Sequence, residues 1–182
     1  MAGLLLAPEE AVKLKASGRV AAAVLIPLYL DDADLHAVFT KRNLDLRRHA
    51  GEISFPGGRR DEGEELPETA LREAEEEIGL ARADVELVGA LPPTGTFVTN
   101  YVIYPFVGLI EPGSIFRPNP IEVDEIVELS LPALAAGFER KRLVRRGVPI
   151  KTDTYTVDGN FIWGATARIV GTLLDRLKPL LA

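Results

Sequence analysis

The sequence predicts an α/β fold, a mixed β-sheet with helices packed on it. Two observations carry this reading. Strands both precede and follow one central acidic helix, and neighbouring strands are joined by hairpin-like turns rather than by crossover helices. No internal repeat, low-complexity tract or long linker interrupts the 182 residues, so the chain reads as one domain, 1–182.

Each element has a local cause. The first segment, 1–18, holds a short amphipathic helix over 8–16, opened at Pro8 and stopped by Gly18. Residues 19–30 form a β-branched and aliphatic run, 31–34 (Asp-Asp-Ala-Asp) a turn, and 35–41 a returning strand. The stretch 43–51 is polar and irregular, 53–55 is a short strand, and Pro56-Gly57-Gly58 reads as a sharp loop. Pro67 suits the first turn of a helix that runs to Ile78, with Gly79 as its stop. Strands follow at 85–91, closed by Pro92-Pro93, and at 98–110, with 94–97 a loop between them. The proline-rich stretch 111–120 is a loop, 125–129 extends, and 131–136 is a small helix. Residues 140–157 give two strands about Gly147. The last helix, 165–177, places Ile169, Val170, Leu173, Leu174 and Leu177 on one apolar face.

Composition narrows the function classes. Zero cysteines exclude disulfides, thiolate zinc sites and cysteine nucleophiles. The longest apolar run, 20–30, is too short to span a bilayer and is broken by Pro27. Residues 1–6 are apolar but brief and lack a basic leader, so a cytoplasmic protein is expected, without a membrane partner. A net charge of −6 speaks against a nucleic-acid partner. That charge is unevenly spread: 61–77 carries −8, while 41–60 just upstream carries +4. A basic block abutting an acidic one marks two adjoining electrostatic environments.

The central helix carries Glu73, Glu76 and Glu77, at spacings of three and four that share one helical face. Like charges so close destabilise a helix unless something offsets them. Arg72 can pair with Glu76 one turn on, yet one arginine cannot neutralise three carboxylates. A hard divalent cation could, with Mg²⁺ or Mn²⁺ suited to oxygen ligands completed by water and substrate phosphate. A solvated acidic face is the plainer explanation of such a helix taken alone, so the surrounding residues have to decide.

From Gly58 the chain reads GRRDEGEELPETALREAEEEIGL, with Glu64, Arg72-Glu73, Glu76-Glu77 and Gly79 at fixed intervals. This closely resembles the Nudix box, Gx5Ex7REUxEExGU with U aliphatic or small, over 58–80. Thr40, Arg42, Arg47, Gly51 and Phe55-Pro56-Gly57-Gly58 further resemble the signature LLTxR[SA]x3Rx3Gx3FPGG of the coenzyme A pyrophosphatase branch. Val38-Phe39 stands in place of the paired leucines, and Asn43 in place of Ser or Ala, a change at the loop entry able to alter substrate contacts. The tail Ile162-Trp163-Gly164-Ala165-Thr166-Ala167-Arg168 is also similar to the end of this branch.

The resemblance implies the Nudix fold, a mixed β-sheet sandwiched between α-helices, and cleavage of a nucleoside diphosphate derivative. Metal would be held by Glu73, Glu76, Glu77 and Gly58, with Arg72 orienting the glutamates. Glu64 would either add an outer metal contact or cap the box. Coenzyme A or acyl-CoA would yield 3′,5′-ADP and 4′-phosphopantetheine. Arg42, Arg47, His49, Gly57 and Gly58 are the expected substrate contacts, since guanidinium forks suit phosphate oxygens. Another diphosphate, such as ADP-ribose or a dinucleotide, is the alternative, and a non-catalytic nucleotide sensor the second. The general base is open between a box glutamate, Glu122 and Glu125. Trp163 either stacks on adenine or belongs to the core, and a homodimer is a possible assembly.

Overall fold

The computed structural model describes residues 3–44, 51–96, 100–145 and 148–181. Its centre is β1 (Val20–Asp31), whose odd-numbered residues face one helical layer and even-numbered residues the other. Ala23 and Leu25 pack toward the box helix, whereas Ile26 and Leu28 pack toward the C-terminal helices. Burial on both faces explains why this strand reads as a continuous apolar run rather than an alternating one.

β1 turns at Asp32-Ala33, both in the left-handed region, and returns as β2 (Asp34–Arg42) in an antiparallel hairpin. On its other side β1 runs parallel to β7 (Tyr101–Leu109). β7 in turn pairs antiparallel with β5 (Glu86–Ala90) and with the two-residue β6 (Thr94–Gly95). β8 (Val123–Ser130) and β3 (Ile53–Ser54) both pair antiparallel with β2. The parallel pair among antiparallel neighbours makes the sheet mixed, as expected.

One layer is α2 (Leu66–Ile78), which buries Leu66, Ala70, Ala74 and Ile78 against Ala23, Leu25, Val38 and Phe106. Alanines at 70 and 74 let the helix axis approach the sheet closely. The opposite layer is α3 (Leu131–Ala136), capped by Ser130 Oγ accepting from Ala133 N–H at 3.2 Å, and α4 (Gly164–Leu177). A separate antiparallel sheet of β9 (Phe138–Arg145), β10 (Val148–Val157) and β11 (Asn160–Trp163) flanks α4.

Four expectations need correction. The N-terminal helix predicted over 8–16 is one turn, α1 (Pro8–Ala11), because the chain beyond it is drawn onto the sheet, where Tyr104 Oη donates to the Leu14 carbonyl at 3.3 Å. Pro56-Gly57-Gly58 is not a loop: Gly57–Arg59 is a strand, β4, antiparallel to Ala22–Val24 of β1. Thr94–Gly95 likewise pairs with Val102 and Ile103 rather than looping free. Finally, β11 was not foreseen, although Asp158-Gly159, both at positive φ, turn β10 back into it.

Candidate active site

β4 lies on β1 because residues 57 and 58 have no side chain. A β-carbon at 57 would strike the Ala23 carbonyl and the Val24 backbone, and one at 58 would fall on the Glu73 carboxylate. This places the β4 backbone directly against α2. Gly57 N–H donates to Glu77 Oε2 at 3.1 Å.

Glu77 is 5% exposed, an unusual burial for a glutamate. Burial pushes its carboxyl up to about 7, helped by the charges of Glu73 and Glu122 and opposed by the Gly57 N–H and Arg42. Glu73 is also pushed up, chiefly by burial, with Arg72 pulling the other way and Glu76 and Glu122 adding to the rise. The three box glutamates are thus held differently: Glu77 sunk beside β4, Glu73 part-buried, Glu76 largely in solvent.

Arg72 organises the face. It donates to Glu64 Oε1 at 2.9 Å and Oε2 at 3.1 Å, to Glu73 at 2.9 Å and to Glu76 at 3.1 Å. A fifth contact, 3.3 Å to the Arg59 carbonyl, ties it to β4. Glu64 is committed to this clamp: Thr69 Oγ1 donates to it at 2.7 Å and Asp61 N–H at 3.3 Å. The Arg72 hydrogen bond, more than any other contact, holds the Glu64 carboxyl down at about 2, with burial opposing and Thr69 and Asp61 assisting. Thr69, wholly buried, is a participant the sequence reading missed, and a small polar residue on an otherwise apolar helix face was its only signal.

The segment before β8 closes the site from the other side. Gly79, left-handed at φ 68°, sends its N–H to the Glu75 carbonyl and ends α2. The last two carbonyls of the helix are met by a segment distant in sequence: Arg117 N–H donates to Ile78 O at 2.7 Å and Asn119 N–H to Glu77 O at 2.8 Å. That capping draws residues 117–122 across the helix end, and the charge of Glu122 consequently acts on both Glu73 and Glu77. Glu125 points elsewhere, in an ion pair with Lys41 at 3.0 Å.

Arg42 ends β2 with its Nε buried and, among the described residues, without a hydrogen-bond partner, and its charge reaches Glu77. Asn43 does not project freely: its amide donates to the Pro120 carbonyl at 2.8 Å. Arg47, Arg48 and His49 lie outside the described residues, as does Phe97. Trp163 is half-buried at the end of β11, and Arg168 donates to the Gly95 carbonyl at 2.7 Å. Between β9 and β10, Arg140 pairs with Asp153 at 2.7 Å. A cleft of about 1440 Å³ between Tyr29, Leu30, Leu35 and Val85–Val88 contains none of the site residues.

Among the described residues no three acidic side chains converge on one point as they stand, because Arg72 and Gly57 N–H each hold a box glutamate. The residues nevertheless fit a divalent cation. They offer hard carboxylate oxygens, a buried glutamate whose negative charge is under-compensated, and a glycine that leaves room for the Glu73 carboxylate.

A family model described as NUDIX domain matches residues 19–148. The uncharacterized Nudix hydrolase NudL of Pectobacterium atrosepticum is 36% identical over 158 residues, spanning 84% of this chain and 80% of that protein. The protein of the same name from Escherichia coli strain SMS-3-5 is 37% identical over 155 residues, with 84% and 80% covered. Among solved structures, Caenorhabditis elegans Ap4A hydrolase superposes with a TM-score of 0.59 at 13% identity, over 90% of this chain and 98% of that one. A MutT/nudix family protein from Enterococcus faecalis gives 0.60 at 13% identity, over 91% and 64%. At such identities these two speak for the fold.

Proposed function

The chain belongs to the NUDIX domain family and is a Nudix hydrolase of a nucleoside diphosphate derivative, and we propose that its substrate is coenzyme A or an acyl-CoA. Water would add to one phosphorus of the pyrophosphate while the bridging P–O bond breaks, giving 3′,5′-ADP and 4′-phosphopantetheine or its acyl form. The observation that carries this reading is Arg42. It stands at a motif position of the coenzyme A branch, and its buried Nε is unpaired beside Glu77, one N–H donor awaiting an anionic oxygen.

Glu73, Glu76, Glu77 and the Gly58 carbonyl would hold Mg²⁺ or Mn²⁺, which when bound neutralises the diphosphate and lowers the pKa of a coordinated water. Arg72 fixes the rotamers of Glu73 and Glu76, and Glu64 with Thr69 fixes Arg72. Arg42 binds the diphosphate through its free N–H. Glu122 is the acid outside the box best placed to take a proton from the attacking water, since Glu125 is engaged by Lys41. Both chain halves serve this one site, which supports reading 1–182 as a single domain.

The test is magnesium-dependent release of 4′-phosphopantetheine from coenzyme A, run beside ADP-ribose, NADH and Ap4A. Coenzyme A should have the highest kcat/KM. ADP-ribose or a dinucleotide outpacing it overturns the substrate, and inertness toward all four overturns the hydrolase reading in favour of a sensor.

A further inference from the structure

Residue 43 departs from the pattern the chain otherwise resembles, with asparagine where that pattern has serine or alanine. The backbone N–H of Asn43 donates to the Glu122 carbonyl at 2.9 Å, a bond that serine or alanine would make equally well. Its side-chain amide adds what they cannot, the 2.8 Å bond to the carbonyl of Pro120. One residue thus anchors the turn at two points, the Pro120 carbonyl and the carbonyl of Glu122 itself. The same turn is closed internally by Asn119, whose carbonyl accepts from Glu122 N–H at 3.0 Å and Val123 N–H at 2.8 Å, and whose side chain accepts from Ile121 N–H at 3.1 Å. Its upstream end is fixed to α2 by Asn119 N–H on Glu77 O.

We propose that Asn43 is a positioning residue that clamps the 119–122 turn and so holds the Glu122 carboxylate over the face formed by Glu73 and Glu77. This rests on the hydrolase reading above and deepens it. Cation binding and turnover draw on a fourth negative charge, and the loop after β2 sets where that charge stands. The 2.8 Å bond from Asn119 N–H to Glu77 O sets this turn against the end of α2, the helix that carries Glu73 and Glu77. Asn43 itself touches no reacting atom.

The experiment is a double-mutant cycle of Asn43→Ala and Glu122→Gln on the full chain, read by Mn²⁺ binding without substrate and by steady-state kinetics. Alanine is a residue the resembled pattern tolerates, so the variant should fold. Asn43→Ala should weaken Mn²⁺ binding and lower kcat by roughly fivefold, the weight of about one hydrogen bond, with KM unchanged. In the Glu122→Gln background it should change neither. Lys41→Met, which breaks the neighbouring β2–β8 ion pair without touching the turn, should leave Mn²⁺ binding as in the wild type. Wild-type Mn²⁺ affinity in Asn43→Ala, or an undiminished effect in the Glu122→Gln background, overturns the proposal and leaves the hydrolase reading intact. A wild-type chain that binds no Mn²⁺ overturns both.

Discussion

Arg72 grips Glu64 with two parallel hydrogen bonds, 2.9 Å to Oε1 and 3.1 Å to Oε2, while the opposite edge of the guanidinium reaches Glu73 and Glu76. Glu64 thus acts on the site only through the arginine. Both partners are mostly buried, so the pair is poorly screened. Replacing Glu64 by Gln puts an amide where a carboxylate accepted four hydrogen bonds. Stability should fall by about 2 kcal/mol, the cost of leaving part-buried donors unpaired. Denaturant unfolding of the metal-free protein measures it. Because the Glu64 carboxyl is held down at about 2, the lost contribution is one present above the usual carboxylate range and given up as pH falls toward 2. The wild type and Glu64→Gln should therefore converge in acid.

Glu77 acts in the opposite sense. Its carboxyl is pushed up to about 7, so the fold favours the protonated form. Its contribution is whole at and below about 4.5 and is lost as pH rises through 7. Metal-free wild type should lose up to about 3 kcal/mol across that window, and Glu73, also pushed up, adds to the slope. Glu77→Gln keeps the acceptor for Gly57 N–H but cannot ionise. It should be more stable than wild type at pH 8 without metal, and inactive. Thermal unfolding from pH 5 to 8, with and without Mg²⁺, checks this: the ion should flatten the wild-type slope and leave Glu77→Gln unmoved.

Gly58→Ala tests the close approach of β4 to α2. The new β-carbon would fall on the Glu73 carboxylate, which must rotate away and abandon Arg72. The strand itself need not move, because the collision is with the end of a side chain. Activity or metal affinity should drop about tenfold or more, as displaced ligand-supporting geometry usually costs. Unfolding should shift far less than activity. Equal losses in both would mean that β4, rather than Glu73, had been displaced.

Much of this was legible in the sequence, for reasons that also set its limits. The helix from Pro67 to Gly79 was readable because its start, stop and glutamate register are all local. Gly57–Arg59 was misread because a glycine pair carries no alternation, and its strand character comes entirely from pairing with Ala22–Val24. β11 rests on a local signal, the Asp158-Gly159 turn, but its strand character comes from pairing with β10. The split between Glu122 and Glu125 lay beyond sequence reasoning, since three residues' spacing cannot show that Lys41 claims one and that the helix end claims the turn carrying the other. The partners of Asn43 are more than seventy residues away, which no local pattern encodes.

Arg42 combines two roles that one substitution pair can separate. Its charge lowers the pKa of Glu77, and its buried Nε is an unpaired donor. The backbone there is fixed independently, by Arg42 N–H to Glu52 O and Gly51 N–H to Arg42 O, both at 3.0 Å, so replacing the side chain should leave the loop entry in place. Arg42→Met removes charge and donor together. KM for coenzyme A should rise about tenfold, the weight of one charge-assisted hydrogen bond. The Glu77 carboxyl should also titrate at still higher pH, which moves the metal-free stability slope upward. Arg42→Lys returns the charge without the planar fork. It should bring the stability slope back to its wild-type position while KM stays raised. A lysine variant that recovers both would show that Arg42 serves as a charge alone, and the assignment of its Nε to a diphosphate oxygen would fall.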